Sequence, residues 1–182
     1  MSVVVILGAP GTGKSTVAAL LHKKLKCPWF EFGWIPEFRN QNPYQEISYE
    51  EEERLSFENL VLVTKNYLRH GYEHVLLTDI RYEFAQELQQ QFGGQLKLVV
   101  LYSNSDEVLC QRILTRDNGN EYRDTGAACL CNARIKKSMG QLNAVHVMSD
   151  TLSAEEVADK VMKELNLAEK QIAGDMELPQ NF

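Results

Sequence analysis

Eight residues near the amino end, Gly8-Ala9-Pro10-Gly11-Thr12-Gly13-Lys14-Ser15, have the types and spacing needed to hold phosphate. In the pattern Gly-x-x-x-x-Gly-Lys-Ser the glycines let backbone N–H groups point inward at phosphate oxygens. A helix opening at Lys14 adds the positive end of its dipole. The Lys14 ammonium reaches β- and γ-phosphates, the Ser15 hydroxyl can ligate Mg²⁺, and Thr16 offers a second hydroxyl. With glycine at about 7 % of residues in average proteins, a chance match in a chain this long is on the order of one in a hundred or rarer. The loop therefore reads as a nucleoside triphosphate site rather than a simple tight turn.

Other residues could complete such a site. Asp79 ends the apolar run Val75-Leu76-Leu77-Thr78, where an acid can hold the water shell of Mg²⁺ or orient an acceptor. Its alternative role is to cap the following helix. Arg81 can bind a phosphate on the acceptor or on ATP. Arg112 and Arg116 are four apart and share a helix face, and Arg123 follows in a polar stretch. Phosphoryl transfer is catalysed mainly by positioning and by neutralising charge, which suits arginines; the alternative is an exposed basic face, and Arg134 is a weaker candidate. The segment from Trp29 to Arg39 holds both tryptophans, three phenylalanines, Glu31, Glu37 and Arg39. Its aromatics can stack on a planar base or line an apolar pocket. Phe30 and Phe32 are equally well read as core, whereas Trp34 and Phe38 are better pocket residues.

The elements that must position these groups alternate between short apolar runs and helical stretches. Strands are expected at Val3–Leu7, Pro28–Phe32, His74–Thr78, Leu96–Tyr102 and Ala144–Met148. Helices are expected at Lys14–Lys26, Tyr44–Arg69 (one, or two end to end, stopped near Gly71) and Glu83–Phe92 before Gly93-Gly94. A helix capped by Ser105 or Asn104 carries Val108, Leu109, Ile113 and Leu114, and further helices follow at Ala127–Met139 and after Ser153. Arg116–Gly126 reads as a loop. Strands alternating with helices imply an α/β three-layer domain with a five-stranded parallel sheet, and a ligand at the carboxyl ends of the strands. Residues 1–166 form the expected domain; 167–182 is a tail that docks or is disordered.

Bulk properties narrow the function. The chain has 182 residues, 44 % hydrophobic and 24 % charged, as suits one globular domain, and its net charge of −6 argues against coating nucleic acid. The amino end shows no leader pattern and the apolar run after it is too short to span a bilayer. The four cysteines lack metal-site spacing and read as reduced thiols of a cytoplasmic protein. No Asn-Lys-x-Asp guanine reader, no Leu-Ser-Gly-Gly-Gln string and no Asp-Glu pair after Thr78 is present, which disfavours a GTPase, a transporter ATPase and a motor.

The loop at residues 8–16 and the stretch from Leu98 to Arg116, a strand leading into a helix with two arginines, resemble the small-molecule and nucleotide kinases of the P-loop superfamily. The resemblance extends in architecture over roughly residues 1–165. It implies a lid at about residues 116–126 whose arginines close over the phosphates, and an acid at the end of the second strand that accepts the hydroxyl proton. Glu31 matches that position best and Glu37 second. The implied activity is transfer of the γ-phosphate of ATP, with Mg²⁺, to a small-molecule acceptor. A hydroxylated or nucleoside-like acceptor stands ahead of a nucleotide, which would need Arg39 and Arg81 on its phosphate. The usual monophosphate-binding strings of adenylate-type kinases are missing. Other readings are a slow-hydrolysing regulatory or assembly protein and a nucleic-acid end kinase; the chain is expected as monomer or homodimer, away from membranes.

Overall fold

The computed structural model describes residues 1–34, 48–117 and 121–168. Its centre is β1 (Ser2–Gly8), in which Val3, Val4, Val5 and Ile6 are wholly buried. A strand with β-branched residues on both faces needs a layer on each side. The chain supplies them with α1 (Lys14–Leu25), β2 (Trp29–Glu31), α2 (Tyr49–Arg69), β3 (His74–Thr78), α3 (Ala85–Phe92), β4 (Leu96–Tyr102), α4 (Asp106–Leu114), α5 (Thr125–Lys137), β5 (Ala144–Met148) and α6 (Ala154–Glu164). The five strands pair in parallel in the order β2-β3-β1-β4-β5.

Alternation along the strands sorts the two faces. Val3, Val5, Leu7, Val75, Leu77, Leu98 and Val100 pack under α2, α3 and α5 through Phe57, Leu60, Leu88, Phe92 and Ile135. Val4, Ile6, Leu76, Val99, Leu101 and Val147 pack under α1 and α6 through Val17, Leu21, Leu25, Val157 and Val161. The helix leaving β1 thus lies on one face and the helix leaving the adjacent β3 lies on the other. Connections that diverge from neighbouring strands open a crevice at their carboxyl ends, and Gly8 and Asp79 both sit at its edge.

Local chemistry fixes the element ends. Ser48 and Ser153 each build a reciprocal capping box, with Glu51 and Glu156, that starts α2 and α6. Ser105, not Asn104, caps α4 by accepting from the Val108 N–H. The structure departs from the sequence expectation at three ends. Described α2 is one helix beginning at Tyr49, with residues 44–47 outside the described set. A 3-10 turn at Tyr82–Phe84 precedes α3. The loop expected to run to Gly126 ends sooner, because the Asp124 carboxylate accepts from the Ala127 N–H at 2.8 Å and so starts α5 at Thr125. That cap offsets the poor helix propensity of Gly126. Phe32 is core, and Phe30 packs against it beside Tyr67. Among the described residues no helix is long and apolar enough to cross a membrane.

One buried side chain joins the end of β4 to α5. Asn132 is fully buried; its Oδ1 accepts from the Ser103 N–H at 3.0 Å and its Nδ2 donates to the Ser103 carbonyl at 2.9 Å. Asn132→Ala leaves both backbone groups dry and unpaired, so it is expected to cost about 2–4 kcal/mol. The check is a urea titration in which the midpoint falls with the slope unchanged.

Candidate nucleotide site

The loop after β1 must turn from a buried strand into α1 within five residues. Gly8 permits the close approach: a Cβ there would lie 2.6 Å from the Leu101 carbonyl oxygen and 2.7 Å from Thr12 Oγ1. Thr12 is buried and its hydroxyl donates to the Ala9 carbonyl at 2.8 Å, which tightens the loop. Gly13 takes the N-cap position of α1 at φ 89°, in the left-handed region where a Cβ is disfavoured. The first turn of α1 contains no acidic residue, so its positive end stays available to an anion.

This loop forms one wall of a cavity of about 730 Å³, a volume suited to a nucleotide-sized ligand. Pro10 to Val17 line it, together with Glu31, Asp79, Arg112, Arg116 and Tyr122. Its other end is walled by Ser149, Leu152, Ser153, Ala154 and Val157, from the end of β5 and the start of α6. Each charged group arrives on a different element. Glu31 is the last residue of β2 and pairs in register with Thr78, and the Trp29 indole donates to Thr78 Oγ1 at 2.9 Å. Asp79 follows β3 at φ 59°, a conformation aspartate tolerates better than most residues. Its carboxylate lies beside Gly33, whose Cβ would be 3.7 Å from Asp79 Oδ2. Asp79 is not a helix cap, since Arg81 occupies the N-cap position of the next turn.

Lys14 is half-exposed by accessible area yet densely surrounded by protein atoms, and its ammonium donates to the Ala9 carbonyl at 3.3 Å. Burial drives its pKa below the usual lysine value; Asp79, Cys131 and Glu31 oppose that, and Arg116 adds to it. A cation held at a desolvation cost, with part of its field uncompensated, is poised to receive an anion. Arg112 reaches the opposite side, donating to the Ser149 hydroxyl at 3.1 Å and to the Ser149 carbonyl at 2.6 Å. These bonds tie α4 to the strand end that forms the far wall.

The cavity thus gathers Pro10 to Thr16, Glu31, Asp79, Arg112 and Arg116 from the sequence expectation. Gly8 and Ala9 lie under the loop, Gly8 at the strand end and Ala9 accepting from Thr12 and Lys14. Three of the candidate arginines are placed elsewhere. Arg81 is exposed and paired with Glu53, with Glu83 at 3.6 Å, and does not line the cavity. Arg123 is exposed, donates to the Tyr122 carbonyl at 3.0 Å and does not line it either. Arg134 is exposed and also off the lining. Phe38, Arg39 and Glu37 lie outside the described residues, as does the side chain of Trp34. Sequence reasoning missed Tyr122 and the wall from Ser149 to Val157. Tyr122 is the one aromatic in a polar stretch, and the rule that ligands sit at strand ends would have flagged the residues after β5.

Mg²⁺ prefers oxygen donors and commonly takes only one or two from protein, the rest from phosphates and water. The Ser15 hydroxyl and the Asp79 and Glu31 carboxylates, all lining the loop's cavity, fit that donor chemistry.

A family model described as AAA domain matches residues 4–128. No curated protein matches the sequence. Among solved structures, a gluconokinase from Sinorhizobium meliloti 1021 is similar at TM-score 0.63 and 16 % identity, over 91 % of each chain. A sugar kinase from Janibacter sp. HTCC2649 is similar at TM-score 0.66 and 13 % identity, over 92 % of this chain and 96 % of that one. A shikimate kinase from Bacteroides thetaiotaomicron is similar at TM-score 0.61 and 17 % identity, over 91 % and 99 %. At these identities the likeness establishes the three-layer parallel fold read from the sequence.

A triphosphate seated on the loop supplies the negative charge that the Lys14 site lacks, and so restores its pKa. Between the depressed and restored values Lys14 is neutral in the free protein and charged in the complex. Binding at pH values between the two is therefore expected to take up a proton and to weaken as pH rises. Calorimetry of ATP binding in two buffers of different ionisation enthalpy checks this, and proton release would contradict it.

Proposed function

This chain belongs to the AAA domain family, and from that premise we propose that it is an ATP- and Mg²⁺-dependent kinase acting on a hydroxyl group of a small molecule. The observation that carries the proposal is the presence of Glu31 in the same cavity as the phosphate loop. Transfer to a hydroxyl needs an acceptor for its proton, and a carboxylate in the cavity can supply it. The likeness to solved structures described as sugar and shikimate kinases supports the same reading.

In this reading the loop N–H groups, the α1 amino end and Lys14 hold the β- and γ-phosphates. When bound, Mg²⁺ near Ser15 and Asp79 offsets phosphate charge. The acceptor O–H, hydrogen-bonded to Glu31, attacks the γ-phosphorus. Its proton passes to Glu31 as the bond from phosphorus to the ADP oxygen breaks. Arg116 spreads the charge that develops on the transferring group, and Tyr122 closes the same side of the cavity. Arg112 holds the far wall through Ser149. Residues 1–166 act as one kinase domain, with Arg116 and Tyr122 as its lid contacts.

Charge supports one acceptor class over another. A nucleoside monophosphate needs cations on its phosphate, and Arg81 is already held by Glu53 and Glu83 away from the cavity. The acceptor side of the described cavity shows two carboxylates, Glu31 and Asp79. A neutral, polyhydroxylated or nucleoside-like molecule suits them better than a phosphate monoester.

Glu31→Gln keeps the size of the side chain and removes its basicity. With ATP, Mg²⁺ and a panel of sugars, cyclic polyols and nucleosides, it is expected to lower kcat about 10²–10⁴-fold while leaving ATP affinity within twofold. Full activity in the variant would end the assignment of Glu31. A flat panel for the unmodified protein with clear ATP binding would favour the regulatory reading.

A further inference from the structure

Two cysteines 19 positions apart in sequence meet between α4 and α5. Cys110 in α4 and Cys129 in α5 place their Sγ atoms 3.9 Å apart. Both are half-buried and neither is in a disulfide, so the pair is reduced and in reach of a small reagent. Their neighbours are functional: α4 packs on the phosphate loop, where a Gly11 Cβ would meet the Leu109 carbonyl oxygen at 3.2 Å and Ile113 at 3.1 Å. Arg112 lines the cavity two residues from Cys110.

We propose that Cys110 and Cys129 form an oxidation site at which a hydroperoxide produces a disulfide fastening α4 to α5. The thiolate of one cysteine attacks a peroxide oxygen, the O–O bond breaks, and that cysteine becomes a sulfenic acid with release of water or an alcohol. The sulfur of the other cysteine then attacks the sulfenic sulfur. An S–S bond forms, the S–O bond breaks, and the hydroxide leaves with the attacking thiol's proton as water. Two electrons pass from the thiol pair to the peroxide. Burial, the contact with Cys110 and the nearby Asp106 carboxylate push the Cys129 thiol up to about 11. The 3.9 Å separation makes whichever thiol is not oxidised first the resolving one, with no other cysteine needed.

The remaining thiols are placed differently. Cys27 is buried in the α1 face of the core, and Cys131 packs against the other face with burial pushing its thiol up. A bond between Cys110 and Cys129 closes a loop across α4 and α5, which removes freedom from the unfolded chain.

The experiment treats the full chain with one equivalent of hydrogen peroxide and counts thiols, maps the linked peptides by mass and records thermal unfolding. Two of the four thiols are expected to disappear in a 110–129 link within one chain. Tm is expected to rise by roughly 5–10 °C, returning on addition of dithiothreitol. Cys110→Ser and Cys129→Ser each lose the link and the shift, whereas Cys27→Ser retains both. Cross-links between chains, a link to another cysteine, over-oxidation without a link, or a link that leaves Tm unchanged would each overturn the proposal. Because every readout is independent of catalysis, failure here and failure of the kinase reading are separate results.

Discussion

The structure depends on one demand: a wholly buried central strand must hand over to a helix within five residues and leave that helix's amino end open to an anion. Most backbone donors inside a protein are paired. Here the Thr12 N–H and hydroxyl both turn back to the Ala9 carbonyl, and glycine stands where a Cβ would strike Leu101 or strain the turn. The desolvation cost of Lys14 is offset when a polyphosphate arrives. Binding is therefore written into the local energetics of β1 and α1, before any other part of the cavity is considered.

The sheet order then decides what faces that anion. Because α1 and α3 leave neighbouring strands on opposite faces, the ends of β1 and β3 are not covered, and Asp79 stands beside the loop. β2 lies outside β3, so Glu31 reaches the cavity from the side opposite the Ser149 wall beyond β5. A carboxylate on one flank and an arginine-held wall on the other give the crevice two unlike ends. The proposed chemistry uses that polarity, with nucleotide toward α6 and acceptor toward β2.

Much of this was legible in the sequence because the deciding signals are local. The strands at Leu96–Tyr102 and Ala144–Met148 fall where their apolar runs begin and end, and the phosphate loop is a contiguous string. Signals that fold across distance were not legible. Arg81 reads as a phosphate ligand until Glu53, 28 positions earlier, is seen to hold it. The start of α5 turned on whether Asp124 could cap a turn containing Gly126, a balance of two small terms that pattern alone does not weigh. The Ser149–Val157 wall and the meeting of Cys110 with Cys129 are products of topology, and no spacing rule announces them.

The central claim is that this cavity recognises a nucleotide through its β- and γ-phosphates. The direct measurement is calorimetric titration of the protein, with Mg²⁺, by ATP, ADP and AMP in turn. The account predicts that ATP and ADP bind and that affinity falls sharply once the β-phosphate is gone, with Lys14→Gln flattening the series. AMP binding as tightly as ATP, or a series unchanged by Lys14→Gln, would contradict it.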